Sequence, residues 1–293
     1  MKVTVVVVSK DEPALDSTLT VLECQVADLA PLGVSGDVLV VDASSGRLDH
    51  VRTAHPSVRW IDFAPPPGSR VTIARQRNLG VRESGADVIV FTDSGATPHD
   101  GWLRRLVLEI DGGEAVVAGA TRSVDTSHLL YRGLSSAAAP DYVEECPTVN
   151  LALRRDALDR VGGFDESFRY GSDVDLSWRL RDAGYRIRRD AGAVIDVDWG
   201  DWRRQLRRSF AYGRARSDLY RKHPRRLRTV LRDDPVVVVW PLFLLGLPIA
   251  VKRPAYLLLL AVPAWRNRHD GPVQVIVDHA VYGAGVLRGL VPR

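Results

Sequence analysis

A chain of 293 residues, 45% hydrophobic and 26% charged, can bury one large core, or one core plus an appendage, and is not a disordered protein. Its net charge of +4 hides an asymmetry: from Arg203 to Arg232 twelve Lys or Arg meet one acid, Asp218, giving +11 there and −7 elsewhere. Two cysteines far apart in sequence, Cys24 and Cys146, exclude a disulfide scaffold and read as reduced thiols.

The chain opens with Val3-Thr4-Val5-Val6-Val7-Val8-Ser9-Lys10-Asp11-Glu12-Pro13, an apolar run too uniform for a strand with one wet face. The acids and proline that follow suit a first helical turn, so a buried strand entering a helix is expected, with Cys24 in that helix near Leu19 and Leu22. Met1 and Lys2 lead directly into the strand, and no signal peptide is expected. A second strand ends in Val41-Asp42-Ala43-Ser44-Ser45-Gly46, and a later one in Thr92-Asp93-Ser94-Gly95. Between them Thr72 to Gly85 reads as a helix carrying Ala74-Arg75-Gln76-Arg77-Asn78-Leu79-Gly80. Alternating buried strands and helices predict an α/β, doubly wound sheet, which binds ligands outside the carboxyl ends of its strands, where Asp42 and Asp93 stand. Either residue alone could equally be a turn-forming Asp. Ser9-Lys10-Asp11-Glu12-Pro13 offers no Gly-x-Gly-x-x-Gly turn, which argues against a nicotinamide-dependent dehydrogenase.

Further along, Leu176, Leu180 and Ala183 recur at helical spacing before Gly184, so Asp173 and Asp175 fall in the first turn of a short helix. There an Asp can serve as a cap or as a chemical group. Trp202, Leu206 and Phe210 recur every four residues with Arg203, Arg204, Arg207 and Arg208 between them, a basic amphipathic helix. Residues 236–251 carry no charge, Lys252-Arg253-Pro254 intervenes, and Ala255 to Trp265 is again apolar. Neither piece reaches the roughly 20 residues of a membrane span, and Pro241 and Pro248 interrupt the first. A shallow hairpin attached to an anionic membrane surface is expected, with packing onto the preceding domain as the alternative. Acids at the strand ends argue against nucleic acid as a partner, and the seven histidines show no ligand spacing and read as surface or loop residues.

The ordered motifs, together with Asn150-Leu151-Ala152-Leu153-Arg154-Arg155 and Val161-Gly162-Gly163-Phe164-Asp165-Glu166 ahead of Asp173-Val174-Asp175-Leu176, resemble family 2 glycosyltransferases of the GT-A fold over roughly residues 3 to 225. The resemblance implies a GT-A sandwich with a mixed, mostly parallel central sheet in residues 1–225, followed by a basic and apolar helical region in 226–293. It implies transfer of a sugar, with inversion, from a nucleoside diphosphate sugar to a hydroxyl; Ser209 in place of a motif Trp, with no long transmembrane bundle after it, predicts transfer of a single sugar, and the basic, apolar appendage predicts a lipid-linked or membrane-associated acceptor. By position the resemblance nominates Asp11, Glu12, Asp42, Arg75, Asn78 and Asp93 for the nucleotide sugar and Asp173 as the base. The reduced thiols and the basic, apolar appendage together suggest a cytoplasmic location, peripheral at the inner face of the cell membrane.

Two departures touch the metal site. Ser94 and Gly95 stand where the family usually has a second acid, and Val194-Ile195-Asp196-Val197-Asp198-Trp199 offers acids where it often has a His. A divalent cation, Mg or Mn, is still expected, held by Asp93 with Asp198 or Asp196. Alternatively Arg75 and Arg77 replace it, or the protein is a catalytically weak, metal-independent nucleotide-sugar-binding homologue. Ser172 also replaces a common Glu, which leaves Asp175 as the second acid of that helix. Gln205-Leu206-Arg207-Arg208-Ser209 partly echoes the Gln-x-x-Arg-Trp motif of processive synthases, with Ser in place of Trp. The loop from Thr126 to Glu145 is expected to choose sugar and acceptor.

Overall fold

The computed structural model describes residues 1–65, 67–124, 140–268 and 271–291; most of the loop from Thr126 to Glu145 and the residues His128 and His269 therefore lie outside the described residues. The chain forms two compact units that divide between Asp198 and Trp199. The sequence pattern had set its boundary near residue 225.

Among the described residues the first unit is built on nine strands: β1 (Lys2–Ser9), β2 (Ser35–Asp42), β3 (Arg59–Asp62), β4 (Val88–Asp93), β5 (Ala96–Pro98), β6 (Val116–Ser123), β7 (Tyr142–Val143), β8 (Leu151–Arg154) and β9 (Ile187–Val197). Their order is β3-β2-β1-β4-β8-β6-β9-β5, with β7 on β9. The first four are mutually parallel, β8 runs against β4 and β6, and β6 and β9 are parallel, so the sheet is mixed and mostly parallel. Val3, Val5, Val6 and Val7 have no exposed surface, as a central strand covered on both faces requires. Helices α1 (Leu15–Ala27), α2 (Asp49–Ala54), α3 (Ile73–Ser84), α4 (Trp102–Asp111), α5 (Arg155–Arg160) and α6 (Ser172–Asp182) complete the unit. Thr72 caps α3 by accepting from the Arg75 N–H, and Gly85 ends it in the left-handed region.

Asn150 locks the far half of the sheet. Fully buried, it donates through Nδ2 to the carbonyls of Ala120 and Ala193, each at 2.9 Å, across an irregularity in the β6–β9 pairing, and accepts from the Trp102 indole at 2.8 Å. Cys24 is exposed and Cys146 buried, both as free thiols, and burial pushes the Cys146 thiol up to about 12. Of the histidines read as surface or loop residues, His55 does lie in a loop, after α2, but it is buried there, with Nδ1 at 2.6 Å from Glu23 and Nε2 at 3.2 Å from Asp16.

The second unit contains α7 (Trp202–Lys222), α8 (Val230–Asp233), α9 (Val236–Lys252), α10 (Ala261–Arg266) and α11 (Pro272–Leu290). The predicted apolar stripe of α7 is not its buried face. Phe210 is exposed, whereas Gln205, Ser209, Gly213 and Ser217 are buried against α11. Small residues win here because the two backbones nearly touch: a Cβ on Gly213 would overlap the Tyr282 carbonyl, and one on Gly285 the Phe210 carbonyl. Gln205 and Ser209, the ends of the processive-synthase echo, both hydrogen-bond the buried Asp278.

Burial raises the Asp278 carboxyl to about 6. A carboxyl raised in the folded state stabilises the protein below its unfolded value, near 4, and this contribution is lost as pH rises through about 6. Asp278→Asn is therefore expected to add up to about 3 kcal/mol above pH 7, with the difference shrinking towards pH 4, as chemical denaturation across this range would show.

Candidate active site

Strand register assembles one rim of the first unit. Ser9 pairs with Asp42, and Val8 with Asp93, so the carboxyl ends of β2, β1 and β4 stand side by side. Asp42 and Asp93 are thus two strand spacings apart, roughly 10 Å, with the Ser9-Lys10-Asp11 exit between them. Strand order reverses at this point, because β1 is followed outward by β2 on one side and by β4 on the other.

A short relay organises the β1 and β2 ends. Ser44 Oγ donates to the buried Asp42 carboxylate at 2.5 Å and accepts from the Asp11 N–H at 2.7 Å. Asp11 adopts a left-handed conformation, φ 57°, and its exposed carboxylate meets Arg47 at 2.6 Å. The hydrogen bond from Arg47 holds the Asp11 carboxyl below its ordinary value. Glu12 turns back to accept from the Ala14 N–H at 3.2 Å, ahead of α1.

Helix α3 supplies the cations. Gln76 anchors it by donating to the carbonyls of Ser9 and Val41, each at 2.9 Å. The Arg77 guanidinium, 7% exposed, lies 2.7 Å from Asp93, which is 37% exposed, and 5.6 Å from the Phe164 ring centroid. Arg75 pairs with Glu166 at 3.3 Å. Asn78 is a clamp: its amide donates to the Phe164 carbonyl at 2.8 Å and to Glu166 at 2.9 Å, and accepts from the Phe164 N–H at 2.9 Å. Phe164 packs edge-on against Phe91 at 5.3 Å. The Gly-Gly-Phe-Asp-Glu segment is thereby fastened to α3, a role that the sequence motif did not disclose.

Helix α6 begins after Gly171, φ 81°, and carries Asp173 half-buried in its first turn. Burial raises the Asp173 carboxyl, while the Arg77 charge and the Val174 N–H, at 2.9 Å, oppose the shift. Asp175 does not share this site. It has no exposed surface and is bound to Arg179 at 2.8 Å, and Arg179 in turn donates to the Val161 carbonyl at 2.5 Å.

For a cation the rim offers oxygen donors but no complete cage. Among the described residues no group of three or more His, Cys, Asp or Glu is arranged to hold a metal ion. Ala96 pairs with Val197, which brings Asp198 and the Asp93 turn to the same rim, but the Asp196 carboxylate is taken by His99 at 2.8 Å. Asp93 keeps a partly exposed carboxylate, the kind of hard ligand that suits Mg or Mn when phosphate oxygens and water fill the other positions.

A mixed sheet with a polar rim at its switch point defines an α/β nucleotide-binding class, and the comparisons narrow it. The model of glycosyl transferase family group 2 matches residues 114–268, and that of glycosyl transferase family 2 matches residues 38–172. The chain belongs to this family group. It is 32% identical over 230 residues to the pre-mycofactocin glycosyltransferase of Mycobacterium tuberculosis, covering 71% of this chain and 47% of that protein. It is also 27% identical over 289 residues to the succinoglycan biosynthesis protein ExoA of Rhizobium meliloti, covering 88% and 82%. The chain thus spans about half the length of the first of these relatives. Among solved structures, the mannosyltransferase PcManGT of Pyrobaculum calidifontis, in complex with GDP-Man and Mn2+, superposes with a TM-score of 0.71 at 18% identity, covering 98% of this chain and 86% of that one. The fold is GT-A.

The clamp predicts unequal costs for two adjacent glycines. Gly163, φ 72°, would place a Cβ 2.9 Å from the Asn78 amide oxygen, whereas a Cβ on Gly162, φ 75°, meets nothing within 4 Å. Gly163→Ala is expected to lose about 2–3 kcal/mol and Gly162→Ala about 1 kcal/mol in denaturant unfolding.

Proposed function

We propose that the protein transfers a single sugar, with inversion, from a nucleoside diphosphate sugar to a hydroxyl of a lipid-linked or membrane-associated acceptor, working as a peripheral protein at the inner face of the cell membrane. The observation that carries the reading is one rim holding Asp11, Asp42 and Asp93 beside the buried Arg77 charge, with a carboxylate at the start of α6 under the influence of the same charge.

In this reading Asp42 and Asp11 accept from the hydroxyl and N–H groups of the nucleoside, and Glu12, Arg75 and Asn78 shape its surroundings. Asp173 takes the proton of the acceptor hydroxyl as its oxygen bonds to the anomeric carbon from the face opposite the leaving group. The bond from that carbon to the diphosphate oxygen breaks, and the electron pair leaves with the diphosphate. Arg77 stabilises the growing negative charge; its Nε has no hydrogen-bond partner among the described residues, so it retains donor capacity for an anion. A divalent cation, with Asp93 as a ligand and Asp198 as a candidate second, supplies further stabilisation of the diphosphate when bound. One observation favours a second reading as a nucleotide-sugar-binding homologue with weak turnover: Asp93 is engaged by an arginine, and Ser94 and Gly95 follow it where a second acid would stand.

Several features support the membrane side. No helix among the described residues is long and apolar enough to cross a bilayer, while the second unit exposes many large apolar side chains next to a strongly basic stretch. Such composition suits attachment from one side.

Calorimetry with the diphosphates of uridine, thymidine and guanosine, each with manganese and with chelator, tests the donor assignment. Tight, metal-enhanced binding of one nucleotide supports it, and no binding of any overturns it. Asp173→Asn is expected to retain nucleotide affinity while turnover falls by about 10²-fold or more; equal loss of both makes the residue structural. Because the base must be ionised and its carboxyl is raised, turnover should fall as pH drops through a value above the ordinary carboxylate range. Arg77→Gln removes the opposing charge and should move that acid limb to higher pH. Nucleotide bound without release of sugar from any donor would establish the second reading.

A further inference from the structure

The second unit contains an apolar groove of about 710 Å³ between α9 and the 254–266 segment. Val239, Trp240, Leu242, Phe243, Leu259 and Leu260 supply much of its lining, and Arg266, Asn267 and His279 its polar groups. Its volume is that of a ligand pocket, and its chemistry is that of a hydrocarbon site with a cationic edge.

The groove is a built feature. The chain folds back after α9, and Tyr256 stacks on Phe243 at 5.3 Å and 11° while its hydroxyl donates to the Phe243 carbonyl at 2.8 Å. Gly246 makes room for that hydroxyl, because a Cβ there would overlap it. Trp240 packs edge-on against Phe243 and His279, each at 5.6 Å, and fixes the groove wall against α11.

What surrounds the groove says what enters it. Val251 is 87% exposed, Leu258 71% and Trp265 69%, and Leu242, Leu245, Leu259 and Val262 are all more than half exposed. A face this apolar exceeds the scattered exposure normal for a water-facing surface. Residues 235–269 contain no acid, and their charged residues are Lys252, Arg253, Arg266 and Arg268. Long cationic side chains rimming an apolar face complement lipid phosphates above a hydrocarbon layer. Helix α9, 17 residues, is about 26 Å long, shorter than a bilayer core, so the face meets lipid from one side.

We propose that this groove is a binding site for an acyl chain of an anionic membrane phospholipid, taken up while the surrounding apolar face rests on the bilayer; the proposal builds on the membrane attachment put forward above. It adds that one lipid chain leaves the bilayer plane to occupy the groove, with its phosphate beside Arg266, which lines the groove, and the neighbouring Arg268.

The test uses the full chain with vesicles of phosphatidylcholine, alone or mixed with phosphatidylglycerol, the latter carrying a diazirine on its acyl chain. Flotation reports attachment, and mass spectrometry of the photoadducts reports groove occupancy. Expected results are flotation with the anionic vesicles, about fivefold weaker for Arg253→Ala, and adducts on Val239, Phe243 and Leu260. Leu259→Trp, which fills the groove, should lose those adducts while floating as before, with unchanged thermal unfolding as the check on folding. Quenching of Trp240 by chain-brominated phosphatidylglycerol, read as the difference from Trp240→Phe, probes the same site without a filled groove.

Flotation with adducts confined to outward residues such as Val251 and Leu258, and no Trp240 quenching, would overturn the groove while leaving membrane attachment standing. Absence of flotation by the unaltered chain would overturn both. A lipid-free dimer whose 236–265 region is protected from hydrogen exchange would assign the face to a second copy instead.

Discussion

The buried charge of Arg77 is the constraint around which the first unit is arranged. Taking a guanidinium out of water costs several kcal/mol unless it is paired and its hydrogen-bonding capacity is used. Here Asp93 provides the counter-charge and Phe164 an aromatic face. Both partners must be in place for the cation to be tolerated, and they come from the end of β4 and from a loop more than eighty residues beyond Arg77. The Gly162-Gly163 turn, the Asn78 clamp and the Arg179 bond to Val161 hold that loop where the guanidinium needs it. Since Arg179 is itself held by the buried Asp175, helix α6 and its Asp173 are tied to the same network.

This arrangement resolves an electrostatic difficulty of the rim. Acids at adjoining strand ends would repel a diphosphate, yet the Asp11 and Asp93 carboxylates each face an arginine, Arg47 and Arg77, Asp42 is bound by the Ser44 hydroxyl, and the nearby Glu166 faces Arg75. The carboxylates remain able to accept from hydroxyl and N–H donors while the guanidinium groups supply attraction for phosphate oxygens. A rim with that alternation can hold both ends of a nucleotide, whereas an uncompensated acidic rim could hold only the neutral end.

The parts of the fold legible in the sequence are those with a local cause. The valine-rich strands announce burial on both faces, and Thr72 and Gly85 mark the ends of α3 through capping chemistry confined to a few residues. Asp42 and Asp93 could be placed at the carboxyl rim because strand ends follow from pattern. The illegible parts depend on contacts between distant segments. Asp175 pairs with Arg179 one helical turn on, a local contact, but nothing near either residue signals that Arg179 will also bind the Val161 carbonyl and that Asp175 will be fully buried away from Asp173. Nothing near His55 signals Glu23 and Asp16. The burial of α7 through Gln205, Ser209 and Gly213 runs against hydropathy, since close backbone approach rewards small side chains over the apolar stripe of Trp202, Leu206 and Phe210. Asn150 appeared only as part of a motif, and its three buried hydrogen bonds join β6, β9 and α4.

Within the second unit two kinds of surface coexist, and their difference has a physical meaning. The α7–α11 contact is tight and includes polar groups, with Asp278 buried between Ser209 and Gln205, so its stability comes from close packing and hydrogen bonding. Across α9 and the 254–266 segment the reverse holds: large aliphatic side chains point outward, although each exposed hydrophobic residue forgoes roughly 1.5–3 kcal/mol of burial. A helix that uses Trp240 and Pro241 to pack inward while presenting Leu242, Leu245 and Ile249 outward already satisfies its inner face. Pro241 and Pro248 within α9 remove backbone donors that a span through dry hydrocarbon would need but that a helix at a wet interface can forgo. Under the proposed membrane attachment, the apolar excess on its outer face meets hydrocarbon while Lys252 and Arg253 at its C-terminal end remain hydrated.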